Sequence, residues 1–128
     1  MDFAGDDKLT GAVIAAAMKV HSALGPGLLE SAYETCLAHE LRKQGFAVAT
    51  QVALPVVYDG VKLDLGYRID LIVNDEVVVE LKAADQLLPI HQAQLLSYLK
   101  LSSRRIGLLI NFNVVLIKDG IHRIVNNL

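Results

Sequence analysis

The sequence is poor in several residue types, and each shortage narrows the class of protein. Cys36 is the one cysteine, so the chain cannot form an internal disulfide. A lone thiol is ordinary in a reducing compartment, and we expect a cytoplasmic protein rather than a secreted one. Aromatic residues make up 5% of the chain and hydrophobic residues 53%. The core must therefore consist mainly of Ala, Val, Leu and Ile, which suits a sheet covered by helices.

The chain also lacks an excess of positive charge and a long apolar run. Lys and Arg number 12 against 14 for Asp and Glu, a formal charge of -2, so no global positive field attracts nucleic acid. Residues 1–7 are acidic where a secretory signal would be basic. The uncharged run at residues 106–117 is shorter than the ~20 residues that a spanning helix needs. We expect neither export nor a membrane segment.

The hydrophobic pattern predicts one mixed α/β domain over residues 1–128. Asp6 or Asp7 is expected to cap a first helix that carries apolar residues at spacings of three and four as far as Leu24. Gly25-Pro26-Gly27 ends it. The further predicted elements are a helix at 28–44, strands at 46–58 (kinked at Pro55), 61–65, 67–73 and 77–82, a helix at 89–102, and strands at 106–112, 114–118 and 121–125, with hairpin turns at Asp59-Gly60 and Asp119-Gly120.

The residues with the clearest chemistry lie on the two strands around residues 74–76. Alternation puts Glu80 and Lys82 on one face of their strand and Leu81 on the other. If the loop has three residues, counting back places Asp70 directly opposite Glu80. A two-residue loop would shift the register and separate the two carboxylates.

Opposed carboxylates on a hydrophobic hairpin need compensation. Directly opposed Cβ atoms lie ~4.5–5.5 Å apart, where like charges are destabilising. A hard divalent cation bound by the carboxylate oxygens of Asp70 and Glu80, beside the ammonium of Lys82, is the simplest compensation, and Mg²⁺ or Mn²⁺ fits. The alternative is a half-exposed sheet whose charged residues point to solvent. Three such residues on one face favour the metal site.

The second predicted helix carries an inward acidic residue. At 100° per residue, Glu30 falls between Leu37 and Leu41 on the apolar face. It faces the core side of the helix. A carboxylate in the first helical turn also gains from the helix dipole, so a purely electrostatic or capping role remains open.

The third predicted helix carries one polar row. His91, Gln94 and Tyr98 follow at spacings of three and four. Such a row is usually the solvated face of a helix. Because this helix follows the strand of Glu80 and Lys82, the row could instead border the same cleft.

Other catalytic patterns are absent. Gly25-Pro26-Gly27 is not followed by the Lys-Ser/Thr pair of a phosphate-binding loop, and the chain has neither HExxH nor CxxC. No Ser-His-Asp arrangement suggests itself. Nucleotide-binding and zinc sites are therefore disfavoured.

The set Asp70, Glu80-x-Lys82 and Gln94-x-x-x-Tyr98 resembles the exonuclease-type signature of the PD-(D/E)xK nuclease superfamily. The resemblance implies a restriction-endonuclease-like core: a central mixed sheet with an antiparallel meander, two helices before it and one after the ExK strand. No proline precedes Asp70, where the superfamily's name pattern has one.

A narrower resemblance covers nearly the whole chain. Gly27-Leu28-Leu29-Glu30-Ser31-Ala32-Tyr33 is similar to the motif that names the GxxExxY family of small bacterial and archaeal proteins. The stretches Tyr67-Arg68-x-Asp70 and Pro89-Ile90-His91 look like that family as well.

The superfamily's metal ligands can be carried over by position. The resemblance implies that Asp70 and Glu80 bind Mg²⁺ or Mn²⁺ through their carboxylates. Leu81 would offer its carbonyl, and Glu30 would be an accessory acidic ligand, directly or through water.

The remaining roles follow in the same way. Lys82 would position or activate the attacking water and stabilise phosphorane charge. Gln94 and Tyr98 would hold the substrate or orient the site, with Tyr33 and His91 as further substrate-positioning residues.

Two functions are compatible with these residues. The intact acidic and basic set favours a metal-dependent nuclease or related phosphodiesterase, with DNA as the default substrate. The formal charge of -2 and the lack of an aromatic and basic platform favour an inactive nuclease-fold module that binds nucleic acid or a protein. A homodimer is a further expectation, because the apolar run at 106–117 could bury an outer face against a second copy.

Overall fold

The computed structural model describes the backbone of residues 4–127 and the side chains of residues 8–127. Within these residues, three helices and six strands follow the predicted order up to residue 111, and a seventh strand lies beyond it. The elements are α1 (Ala4–Leu24), α2 (Glu30–Lys43), β1 (Val48–Ala53), β2 (Val56–Tyr58), β3 (Val61–Leu63), β4 (Arg68–Val73), β5 (Val77–Lys82), α3 (Pro89–Leu101), β6 (Ile106–Asn111), a 3₁₀ turn (Ile117–Gly120) and β7 (Ile121–Val125).

Helix α1 starts earlier than its expected cap. Its helical backbone already includes Ala4, whereas Asp6 or Asp7 was expected to precede the first turn. The side chains of those two residues lie outside the described ones. Within the described residues, no helix has the length and apolarity to cross a membrane.

Five strands form a mixed sheet in the order β1-β4-β5-β6-β7. β5 and β6 are parallel, joined by the crossover helix α3, and the other neighbours are antiparallel. β2 and β3 form a separate two-stranded ribbon, closed by the expected turn with Asp59 and Gly60 at positive φ. The fold is therefore a mixed α/β architecture with two helices before the sheet and one after β5.

The sheet lies between two helical layers. One face packs against α1 and α2 and contributes Leu71, Val79 and Leu81 to that core. The other face packs against α3 and contributes Ile69 and Val78. Because both faces of β5 are covered, a polar side chain on this strand is buried unless it lies at the strand's end.

The predicted strand at 114–118 and its turn at Asp119-Gly120 are wrong. Both edges of β6 are already paired, one with β5 and the other with β7. The segment 114–118 therefore does not pair with β6, and it ends in the 3₁₀ turn. Ile117 is buried, while Val115 is 87% exposed. Gly120 passes so close to β6 that an added Cβ would lie 2.2 Å from the carbonyl oxygen of Asn111.

The reason given for a homodimer also fails. The run at 106–117 was expected to leave an outer face for a second copy. All six residues of β6 are instead buried within the sheet of the same chain. The strand part of the run, Ile106–Asn111, therefore offers no free face.

Candidate active site

The hairpin β4–β5 has the register that a three-residue loop requires. Val73 pairs with Val77 across residues 74–76, and the ladder continues to Leu71 and Val79. Asp70 and Glu80 are the next residues in that register. The structure therefore brings together the two carboxylates that the sequence placed opposite each other.

Beyond Leu71 and Val79, the strands β4 and β5 are joined by hydrogen bonds between main-chain N–H groups and the carboxylates of Asp70 and Glu80. The Asp70 N–H donates to Glu80 Oε1 at 3.2 Å. The Leu81 N–H donates to Asp70 Oδ2 at 2.8 Å. Each carboxylate thus takes a main-chain donor of the opposite strand, and this crossed pair fixes the orientation of both acids.

Glu80 is buried, with 6% of its surface exposed. Burial raises the pKa of Glu80 to about 9, and the charge of Asp70 and a hydrogen bond to it act in the same direction. The nearby Lys82 ammonium opposes the shift. Without a cation, Glu80 therefore keeps its proton near neutral pH, because its carboxyl is buried beside Asp70.

The alternation of β4 breaks at Asp70. Leu71 packs in the core beneath α1 and α2, whereas Ile69 packs in the core beneath α3. Residues two apart on a regular strand share a face. The strand therefore twists at Asp70, and the carboxylate reaches the α2 side of the sheet while remaining against Glu80.

The alternation of β1 is interrupted at Gln51, the residue opposite Asp70. Val48 packs on the α1 and α2 side, and Val52 packs on the α3 side. Between them Gln51 has φ of 50°, in the left-handed region, and stands opposite Asp70 in the register of β1 and β4. The break places both side chains in one cavity.

That cavity has a volume of about 300 Å³ and opens beside the first turn of α2. Glu30 lies on its wall. Its side chain is exposed rather than turned towards the core as the helical pattern predicted, because it stands at the first residue of α2, beyond the part of the helix that packs on the sheet. The residues that line the cavity are Glu30, Ser31, Glu34, Gln51, Asp70 and Leu81. The sequence-predicted Glu30, Asp70 and Leu81 thus meet here.

Glu34 and Gln51 were not expected in this cavity. Partial burial raises the pKa of Glu34, and the charges of Asp70 and Glu30 raise it further, while a hydrogen bond from Gln51 lowers it. Glu34 lies one helical turn after Glu30, so their spacing of four could have revealed it. No local signal singles out Gln51.

Gln94 and Tyr98 lie on the α3 side of the sheet and do not line this cavity. The Gln94 amide donates to the Tyr98 hydroxyl at 3.2 Å. Burial raises the pKa of Tyr98, and the charge of Glu80 adds to it, which places this ring beside the crossed pair. Tyr67, to which the sequence analysis assigned no role at the site, touches Tyr98 edge-on at 6.1 Å between ring centroids.

The side chains of Tyr33 and His91 form hydrogen bonds with main-chain groups of nearby turns. The Tyr33 hydroxyl donates to the carbonyl of Gly25 at 2.7 Å and accepts from the Leu28 N–H at 3.0 Å. Tyr33 is fully buried, and its hydroxyl ties together the turn that precedes α2. His91 Nδ1 accepts from the Leu88 N–H at 3.0 Å and closes the first turn of α3.

The donor set can be tested against the metal that the sequence suggested. Glu80 is buried against the half-buried Asp70, and the repulsion between two carboxylates this close is what a bound cation would relieve. Within the described residues, His, Cys, Asp and Glu side chains nowhere converge as a group of three that could hold a metal ion. Mg²⁺ needs only one or two carboxylates, because it keeps several waters and binds substrate phosphates. The residues fit an ion of that type.

A mixed sheet between helices, with an Asp, a Glu and a Lys on one of its hairpins, defines the nuclease-like class that the sequence resembled. A family model for the PD-(D/E)XK nuclease superfamily matches residues 7–124. The chain belongs to this superfamily. Comparisons with curated proteins and with solved structures gave no match.

Proposed function

We propose that the protein is a divalent-metal-dependent nuclease that hydrolyses phosphodiester bonds of nucleic acid, with DNA as the first substrate to test. The crossed pair of Asp70 and Glu80 carries the proposal. Burying the carboxyl of Glu80 beside the carboxylate of Asp70 is costly unless a cation compensates the pair. If the two positions had only a structural role, apolar residues there would make this hydrophobic hairpin more stable than two carboxylates do.

The proposed metal ligands are the carboxylates of Asp70 and Glu80 and the carbonyl of Leu81. Glu30, on the wall of the same cavity, would act through a water. A bound Mg²⁺ or Mn²⁺ supplies a water-derived nucleophile near neutral pH and neutralises charge on the phosphate.

The other residues would act on the substrate. Lys82 follows Leu81 at the end of β5, and its ammonium opposes the rise in the pKa of Glu80. It would orient the attacking water and stabilise the charge of the pentacoordinate phosphorus. Tyr98 and its partner Gln94 would hold the substrate backbone on the α3 side. We also propose, from the sequence motif of Gly27, Glu30 and Tyr33, that the chain belongs to the GxxExxY family.

Metal binding is tested by titrating Mn²⁺ into the protein in a calorimeter. The wild type is expected to bind, and Asp70→Asn is expected to abolish binding, because one charged ligand and the acceptor of the Leu81 N–H are altered together. Asp119→Asn, an exposed position in the 3₁₀ turn, is the matched control. A wild type that does not bind Mn²⁺ would refute the proposal.

Cleavage is tested separately on single-stranded DNA, duplex DNA and RNA with Mg²⁺ or Mn²⁺. Lys82→Ala is expected to keep Mn²⁺ binding and to lower the rate by at least 10²-fold, the scale of one lost transition-state donor. Lys62→Ala, on the exposed strand β3, should cut like the wild type. Equal cleavage by the wild type and Lys82→Ala would mean that a contaminant is responsible.

A further inference from the structure

Gln51 has a backbone conformation that is unusual for its residue type and its place in the fold. Its φ of 50° lies in the left-handed region, in the middle of β1 rather than in a turn. L-residues other than Gly, Asn and Asp rarely adopt this region. Such a residue persists only where its surroundings hold it, and these positions cluster at functional sites.

The side chain of Gln51 joins two acids of the candidate site. Nε2 lies 2.5 Å from Glu34 Oε1 and 3.3 Å from Asp70 Oδ1. A carboxamide nitrogen carries two hydrogens, so it can donate to both oxygens at once. Both partners are acceptors, which requires the nitrogen rather than the oxygen to face them.

Asp70 is thereby oriented through both of its oxygens. Oδ2 accepts from the Leu81 N–H, and Oδ1 accepts from Gln51. Without the amide, Asp70 would face the carboxylate of Glu34 with no donor between them, and their repulsion would favour rotation of Asp70 away from the crossed pair.

We propose that Gln51 is a positioning residue for the metal site: its left-handed backbone aims the amide at Asp70 and Glu34, and the amide holds Asp70 in the orientation that binds the ion. This inference rests on the proposed function. Partners that orient a metal ligand typically contribute 10–100-fold to metal affinity. The left-handed conformation in β1 therefore contributes to the geometry of the metal site rather than to the pairing of the strands.

Gln51→Gly separates the two contributions, because glycine adopts the left-handed region freely and has no amide. The variant is expected to unfold at the same or a higher temperature than the wild type, and to bind Mn²⁺ about 10–100-fold more weakly in a calorimetric titration. Asp59→Gly, at φ of 54° in the turn between β2 and β3, is the matched control. It should leave the Mn²⁺ affinity unchanged.

A second variant tests the same role of the amide if Gln51→Gly does not fold. Asn tolerates the left-handed region and keeps the amide, one methylene shorter. Gln51→Asn is expected to bind Mn²⁺ more weakly than the wild type. Wild-type affinity in either folded variant overturns the role of Gln51 and leaves the proposed function standing. A wild type that binds no Mn²⁺ overturns both.

Discussion

The buried carboxyl of Glu80 should make the stability of the metal-free protein fall as pH rises. An unfolded chain releases this proton near 4.5, whereas the pKa of Glu80 in the folded protein is about 9. Between those values the native state binds one more proton than the unfolded state, so the free energy of unfolding decreases with pH. The slope approaches ~1.4 kcal/mol per pH unit.

Glu80→Gln removes the titration and keeps the shape of the side chain. From pH 5.5 to 7.5 the wild type should lose up to about 3 kcal/mol that the variant retains. For a domain of this size that is roughly 10 °C in Tm. The variant should therefore match the wild type near pH 5 and exceed it clearly at pH 7.5.

The measurement is thermal unfolding followed by circular dichroism in EDTA, from pH 5 to 9. Glu76→Gln, exposed in the turn between β4 and β5, is the control and should follow the wild type. At pH 7.5, Mn²⁺ should raise the Tm of the wild type but not that of Glu80→Gln, so that the wild type becomes the more stable protein. If the wild-type and Glu80→Gln curves stay parallel across this range, the carboxyl is not held protonated and the argument for a compensating cation fails.

Two stability changes test the packing that supports the site. Gly120→Ala should lower the free energy of unfolding in urea by about 1–3 kcal/mol, because its Cβ would collide with the carbonyl of Asn111. Gly11→Ala, in open space on α1, should raise it by up to about 1 kcal/mol, and shifts of the same sign would contradict this account. Tyr33→Phe should cost about 1–3 kcal/mol in the same assay, since it removes the hydroxyl that holds the turn before α2. The exposed Tyr58→Phe is its control, and equal effects would show that the buried hydroxyl contributes nothing.

The helices and the central hairpin could be predicted because their signals are local. Gly25-Pro26-Gly27 and Gly45 bound α2, and Pro89 opens α3. The three-residue loop 74–76 sets the β4–β5 register, and that register brings Asp70 to Glu80 without help from distant parts of the chain.

The apolar segment at 114–118 shows where such reasoning fails. Its composition suits a strand, but a strand needs a partner edge, and both edges of β6 are occupied. Only Ile117 finds a buried place, while Leu116 stays 54% exposed. Periodicity records which residues are apolar and does not record which edges of a sheet are free.

From residue order one could infer the helices, the crossed carboxylate pair and the neighbouring Lys82. The surroundings that make the pair a site came from long-range packing: β1 beside β4, α2 over the sheet, and the matched breaks at Gln51 and Asp70. Alternation assumes that a strand keeps one face throughout. Here two strands change face at the same point, and as a result the carboxylate of Asp70 lies against Glu80 and also lines the cavity beside α2.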